Sequence, residues 1–270
     1  MKFSFEIGGK SYEIDSAKSV DISIPLDFYG DQPNAYGVEK AEAVPYRSDK
    51  FVGDTRKGGS CNFEKYSIIP HCNGTHTECV GHISSDRIFV NEILKDSLIP
   101  CSLIMVEPVL ATNTNEKYIP SVNPGDYFIT KAGIEKAVLN SDRNFLKGLI
   151  IRTKPNDVSK KSRDYMQMPP PFFSTDAIEF IKSLGVNHLL VDIPSVDRAF
   201  DEGKLTNHHI YWNVPEESHE VNTSDISRKT ITEMIYADDS IKDGTYLLNL
   251  QIASFRADAS PSRPVLYEIE

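Results

Sequence analysis

The chain has 270 residues, of which 40% are hydrophobic and 25% charged, with a formal net charge of −10 and a pI near 5.2. That composition supports a sizeable core and excludes a compositionally disordered chain. The acidic balance excludes a nucleic-acid partner, which would need clustered Lys and Arg along the phosphate backbone. The one basic run is the short KKSR at 160–163. The longest apolar runs, such as SLIMVEPVL, fall well short of the roughly 20 residues that cross a bilayer, so no membrane span is expected.

The N-terminal MKFSFEIGGKSYEID alternates apolar and polar residues about Gly8-Gly9, which predicts a β-hairpin and not a secretory leader. Four cysteines (Cys61, Cys72, Cys79 and Cys101) are too few for a disulfide scaffold, and reduced thiols in a cytoplasmic protein are the expectation. Residues 21–60 are rich in Pro, Gly, Asp and Tyr without helical period and read as a long ordered loop that covers something. EKYSII then alternates as a strand and breaks at Pro70. Further strands are predicted over 102–110, 148–153, 187–193, 245–253 and 263–269.

Helical period is clearest in STDAIEFIKSLGV. There Ser174 or Thr175 caps, Ala177, Ile181 and Leu184 share a face, and Gly185 ends the element. A helix running into a buried strand is an αβ unit, while both chain ends read as antiparallel β. The expected fold is therefore α/β: a single domain over 1–270 with a mixed, largely antiparallel β core and flanking helices. The charged stretch 215–229 is a surface insertion.

At 71–82 the chain reads HCNGTHTECVGH, with three histidines, two cysteines and a glutamate in twelve residues. Gly74, Thr75 and the upstream Pro70 make a helix a poor host for NGTH, so the donors must be presented by extended or turn backbone. There His76 and Glu78, two apart, share a face, and Cys72 and His82 can reach the same point from the flanking turns. Imidazole, carboxylate and thiolate are the donors that borderline divalent metals take. Taken singly, these side chains are ordinary surface or core residues; as a set they predict a metal site.

The stretch CNGTHTECVGH resembles the H-x-G-T-H-x-D-x-P-x-H signature of the cyclase-like metal-dependent hydrolase family, of the kynurenine formamidase and isatin hydrolase type. DISIPL (21–26), VDIPSVD (191–197) and ASPSRPV (259–265) resemble further family segments in the expected order. The resemblance implies a swivelling β/β/α fold, with His76 as a metal ligand, Glu78 as a bridging carboxylate and His82 as the catalytic, proton-shuttling histidine. Cys72 stands where the family's first ligand histidine stands, and the adjacent His71 can substitute if Cys72 points away. A second metal would take His208, favoured over His209, and Glu233. Asp192, Ser195 and Asp197 read as groups that hydrogen-bond backbone after a strand and support the site.

The implied cofactor is a divalent metal, one or two ions, with Zn2+ favoured over Mn2+ because a thiolate is soft. The implied activity is hydrolysis of a small amide or cyclic amide. An N-terminal aromatic would cover the substrate, and Phe28, Tyr29 and Tyr36 are available. The rival reading is a catalytically decayed small-molecule or metal-binding module on the same scaffold; a Cys72–Cys79 redox pair ranks third. The resemblance leaves a homodimer open.

Overall fold

The computed structural model describes residues 1–222 and 224–269, and its organising feature is a mixed sheet that closes on itself. Strands β1 (Lys2–Ile7) and β2 (Lys10–Asp21) form the expected hairpin, with Gly8 and Gly9 at φ 58° and 76°, the left-handed turn that glycine enters without strain. The other strands are β3 (His76–Glu78), β4 (Leu98–Val106), β5 (Gly148–Thr153), β6 (His188–Val191), β7 (Thr230–Glu233), β8 (Gly244–Ile252) and β9 (Ala259–Ile269). Their order is β1-β2-β9-β8-β4-β5-β6-β7-β3, and β3 also pairs with the start of β9, so the strands from β9 round to β3 make a closed ring. Strands β4 to β7 run parallel, and the remaining pairings are antiparallel.

Period-two alternation divides the core into two sides. Leu103, Ile150, Leu190, Leu248 and Leu266 pack together on one face. Ile104, Leu149, Ile151, Leu189, Val191 and Ile231 face the other way, onto helices α2 (Lys131–Val138), α3 (Thr175–Ser183) and α4 (Thr206–Trp212). Burial on both faces explains the unbroken apolar run GLII at the start of β5. Helix α3 is capped as expected, with Ser174 Oγ accepting from Ala177 N at 3.0 Å, and its Ala177, Ile178 and Ile181 are buried.

Several boundaries move. Strand β4 begins at Leu98 and stops before Glu107-Pro108, and β9 starts at Ala259, four residues earlier than apolar content indicates. Helices α2 and α4 and strand β7 are not legible in the pattern. Residues 21–60 contain short strands, one of which, Glu42–Pro45, pairs with Glu64–Ser67. The described part of 215–229 holds no helix or strand and is mostly exposed. It is tied to the donor run's end, where His219 Nδ1 lies 2.9 Å from Ile83 O.

Next to β5 and β6 lies a buried ion pair, Lys160 Nζ to Asp192 Oδ2 at 2.7 Å, with the Asp192 carboxylate also accepting from Thr153 N and Oγ1. Both side chains are almost fully buried. Removing one partner strands the other's charge, so Lys160→Met should destabilise the fold by about 3 to 5 kcal/mol. A denaturant titration checks this, and a loss below about 1 kcal/mol would show that water reaches Asp192.

Candidate metal centre

Strand β3 presents His76 and Glu78 on one side, while Thr77 turns to the other and meets Thr232 Oγ1 at 2.7 Å. Register does the rest. Pairing with β7 sets Glu233 beside His76, and pairing with β9 sets Ala259 beside Glu78, which delivers Asp258 to the same end of the ring. Thr75 joins these pieces: its hydroxyl accepts from Ile24 N at 2.8 Å, in the DISIPL segment, and donates to Met234 O.

Helix α1 (Pro70–Asn73) carries His71; Pro70 sits in its first turn and Gly74 ends it. The short 3-10 turn Val80–His82 carries His82. Gly81 is required there, since a Cβ at this position would sit 2.1 Å from Ile88 O. His208 lies in the first turn of α4, whose free N–H groups are satisfied by Asp197: it accepts from Asn207 N at 2.8 Å and His208 N at 3.2 Å. The same carboxylate takes His208 Nδ1 at 2.6 Å, so one residue both starts the helix and fixes the imidazole.

The imidazoles converge on Glu78. His208 Nε2 is 3.0 Å from Oε1, and His71 Nδ1 and His82 Nδ1 are 3.1 and 3.8 Å from Oε2. His76 Nε2 is 3.4 Å from Glu233 Oε2, and Asp258 Oδ2 is 2.9 Å from His71 Nε2 and 3.4 Å from His82 Nδ1. Among the described residues three overlapping donor groups result: His71, His76 and Glu78; His71, His82 and Asp258; and Glu78, His82 and His208.

Whether a cation fits can be tested on buried atoms that lack a well-formed hydrogen bond. His76 Nε2 and Glu78 Oε2 are fully buried and, beyond their contacts with other members of the cluster, make no well-formed hydrogen bond, although His76 Nδ1 is engaged by Gly74 O at 3.0 Å. A buried lone pair without a partner is costly. Two such atoms aimed into one cluster of imidazoles and carboxylates fit a divalent cation.

Charge in the cluster is strongly redistributed. Burial opposes ionisation of Glu78, yet positive charge on His82 and His208 holds its carboxyl well below the usual range. Burial likewise opposes protonation of His71, but the Asp258 and Glu78 carboxylates push it up to about 10. His208 is raised for the same reason by Glu78 and Asp197 against its burial. Hydrogen bonds from His71 and His82 depress Asp258 strongly. In the metal-free protein, protons on imidazole take the part of the cation.

The structure thus brings His76, Glu78, His82, His208 and Glu233 to one place. It does not bring Cys72 into the donor groups; His71, one residue earlier, stands there. Cys72 lines the cleft, where burial and the charge of Glu233 push its thiol up to about 11. His209 lines a different cleft, and its Nδ1 is buried without a hydrogen bond. Asp258 is a residue that sequence reasoning missed; its signal was only its place immediately before the ASPSRPV segment. A cleft of about 380 Å³ opens on the donors, lined also by Tyr36, Ile69, Pro194 and Leu205. Of the three candidate aromatics only Tyr36 reaches it, since Phe28 packs on Tyr66 and Tyr29 bonds Glu64.

Comparison with known proteins bears on the family and the fold. The family model described as "Putative cyclase" matches residues 20–198, more than half of the chain. Kynurenine formamidase of Bacillus cytotoxicus is 24% identical over 254 residues, covering 92% of this chain and 96% of that one. Among solved structures, a predicted metal-dependent hydrolase from Bacillus stearothermophilus superposes with a TM-score of 0.56 at 15% identity, over 93% of this chain and 98% of that one. Isatin hydrolase A from Labrenzia aggregata gives 0.59 at 14%, over 93% and 94%. Among the described residues no helix is long and apolar enough to cross a membrane. The fold, the donor run and the match to the family model together assign this chain to the cyclase family.

Proposed function

We propose that this protein is a metal-dependent hydrolase of a small amide or cyclic amide, with an arylformamide of the kynurenine formamidase type as the first substrate to try. The observation that carries the reading is the convergence of four imidazoles and three carboxylates at a buried spot where His76 Nε2 and Glu78 Oε2 meet only other members of the cluster and make no well-formed hydrogen bond. His71, His76, Glu78, His208 and Glu233 would hold the cation. With nitrogen and oxygen donors in place of a thiolate, the softness argument for Zn2+ over Mn2+ falls away, and the set suits either. A bound divalent cation supplies Lewis acidity, lowering the pKa of a water and polarising a carbonyl.

The chain's own residues do the rest. His82, a quarter exposed at the cleft, takes a proton from the attacking water and returns it to the amine as the C–N bond breaks and the C–O bond forms. Asp197 keeps His208 in one tautomer, and Gly74 O does the same for His76. Tyr36, Ile69, Pro194 and Leu205 give the cleft apolar walls suited to a flat ring. We further read the chain as one catalytic domain with an insertion at 215–229, working in a reducing cytosol.

The test is elemental analysis of protein purified without chelator, joined to turnover of N-formylkynurenine, simple formanilides and isatin. Stoichiometric metal with turnover of at least one of these is expected. Stoichiometric metal with no turnover of any amide would favour the decayed binding module, and no metal would remove the reading altogether.

A further inference from the structure

Each ring in the cluster has a second nitrogen, and those nitrogens follow a pattern. His208 gives Nδ1 to Asp197 at 2.6 Å and aims Nε2 at Glu78. His71 repeats this with its nitrogens exchanged: Nε2 lies 2.9 Å from Asp258 Oδ2, and Nδ1 faces Glu78 Oε2 at 3.1 Å. A carboxylate on the far nitrogen of a ligand imidazole fixes its tautomer, turns its lone pair toward the metal and raises its basicity. Asp258 is itself fixed by backbone, since Cys79 N donates to Asp258 O at 3.1 Å and Val90 N to Ala257 O at 2.8 Å.

Resting on the metal reading above, we infer that Asp258 is the positioning residue of His71. It accepts the Nε2 proton and so leaves Nδ1 unprotonated toward the cation, which lets His71 fill the place that Cys72 does not. Asp258 is 40% exposed at its side chain whereas Asp197 is 1% exposed, so changing Asp258 leaves no cavity in the core. A role through His71 also separates Asp258 from a direct ligand, because an orienting group has nothing to orient once the imidazole is gone.

The experiment is a Zn2+ competition titration against a chromophoric chelator on the full chain, with circular dichroism confirming the fold of each variant. It uses wild type, Asp258→Ala, Asp258→Asn, His71→Ala and the double variant His71→Ala with Asp258→Ala. Asp258→Ala should weaken Zn2+ binding about 10- to 100-fold. Asp258→Asn, which keeps an acceptor oxygen, should lose less. In the His71→Ala background, removing Asp258 should change affinity by less than about twofold, the signature of one acting through the other. Unchanged affinity in Asp258→Ala would overturn the inference, as would an equal loss in both backgrounds, which would make Asp258 a ligand in its own right. Failure of the wild type to bind Zn2+ would instead bring down the proposed function and this inference with it.

Discussion

Stripping the cation with a chelator is expected to abolish turnover and to lower the melting temperature, and both should return with added Zn2+ or Mn2+. At a cation concentration of 100 times Kd, mass action stabilises the folded state by about 2.7 kcal/mol, which for a chain of this size is roughly 5 to 10 °C. The effect should grow with pH. His71 is pushed up to about 10 from 6.5, so in the metal-free protein its contribution to stability is complete below pH 6.5 and is lost as pH rises toward 10. Asp258 is depressed from 3.8, so its contribution is present above that value and lost as pH falls below it. The metal-free site is therefore best satisfied between these two ordinary values. A cation must displace the proton on His71, and His208 is raised in the same sense, so affinity should climb with pH while metal-free stability declines. Calorimetric titration in buffers of different ionisation enthalpy reads the protons released. Heats that do not vary with buffer would mean that these imidazoles are already neutral and that the charge pattern of the cluster has been misread.

Much of this site was readable because its residues are local. His76 and Glu78 share a face in any extended segment, and β3 supplies that segment. His82 needs only a turn. What alternation cannot give is the partner strands: β7 is four residues long and buried throughout, so Glu233 carries no pattern that separates it from other carboxylates, and the family resemblance alone singled it out. The choice between His71 and Cys72 turned on the short helix α1, one turn long, where adjacent side chains point about 100° apart. Both residues line the cleft, and no composition rule decides which of two neighbours carries its donor atom to Glu78. Asp258 was missed because its role is made by the pairing of β3 with β9, distant in sequence, and Asp197 gained a second role only once α4 was seen to start upon it. The hairpin, α3 and β5 were legible for the opposite reason, since each is specified by its own turn, cap or run of apolar residues.

His82→Ala should lower kcat by about 10²- to 10⁴-fold, the usual worth of a positioned general acid or base, while leaving bound metal near the wild-type level. The separation follows from where His82 stands. His76 and His208 are almost fully buried, and each is locked by a partner on its far nitrogen, whereas the His82 side chain, like that of His71, is about a quarter exposed and lines the cleft. Its short contacts, to Asp258 Oδ2 at 3.4 Å and Glu78 Oε2 at 3.8 Å, both use Nδ1, and both are longer than the corresponding contacts of His71. That is a looser seat, suited to a ring that must gain and lose a proton in each cycle. The competing possibility is geometric too, because His82 belongs to two of the three donor groups. Metal content of the variant decides between them. If the ion leaves with the imidazole, His82 is a ligand and another group must carry the proton. If the ion stays and turnover falls, adding free imidazole should restore part of the rate, since a small base entering the cleft can do what the missing ring did.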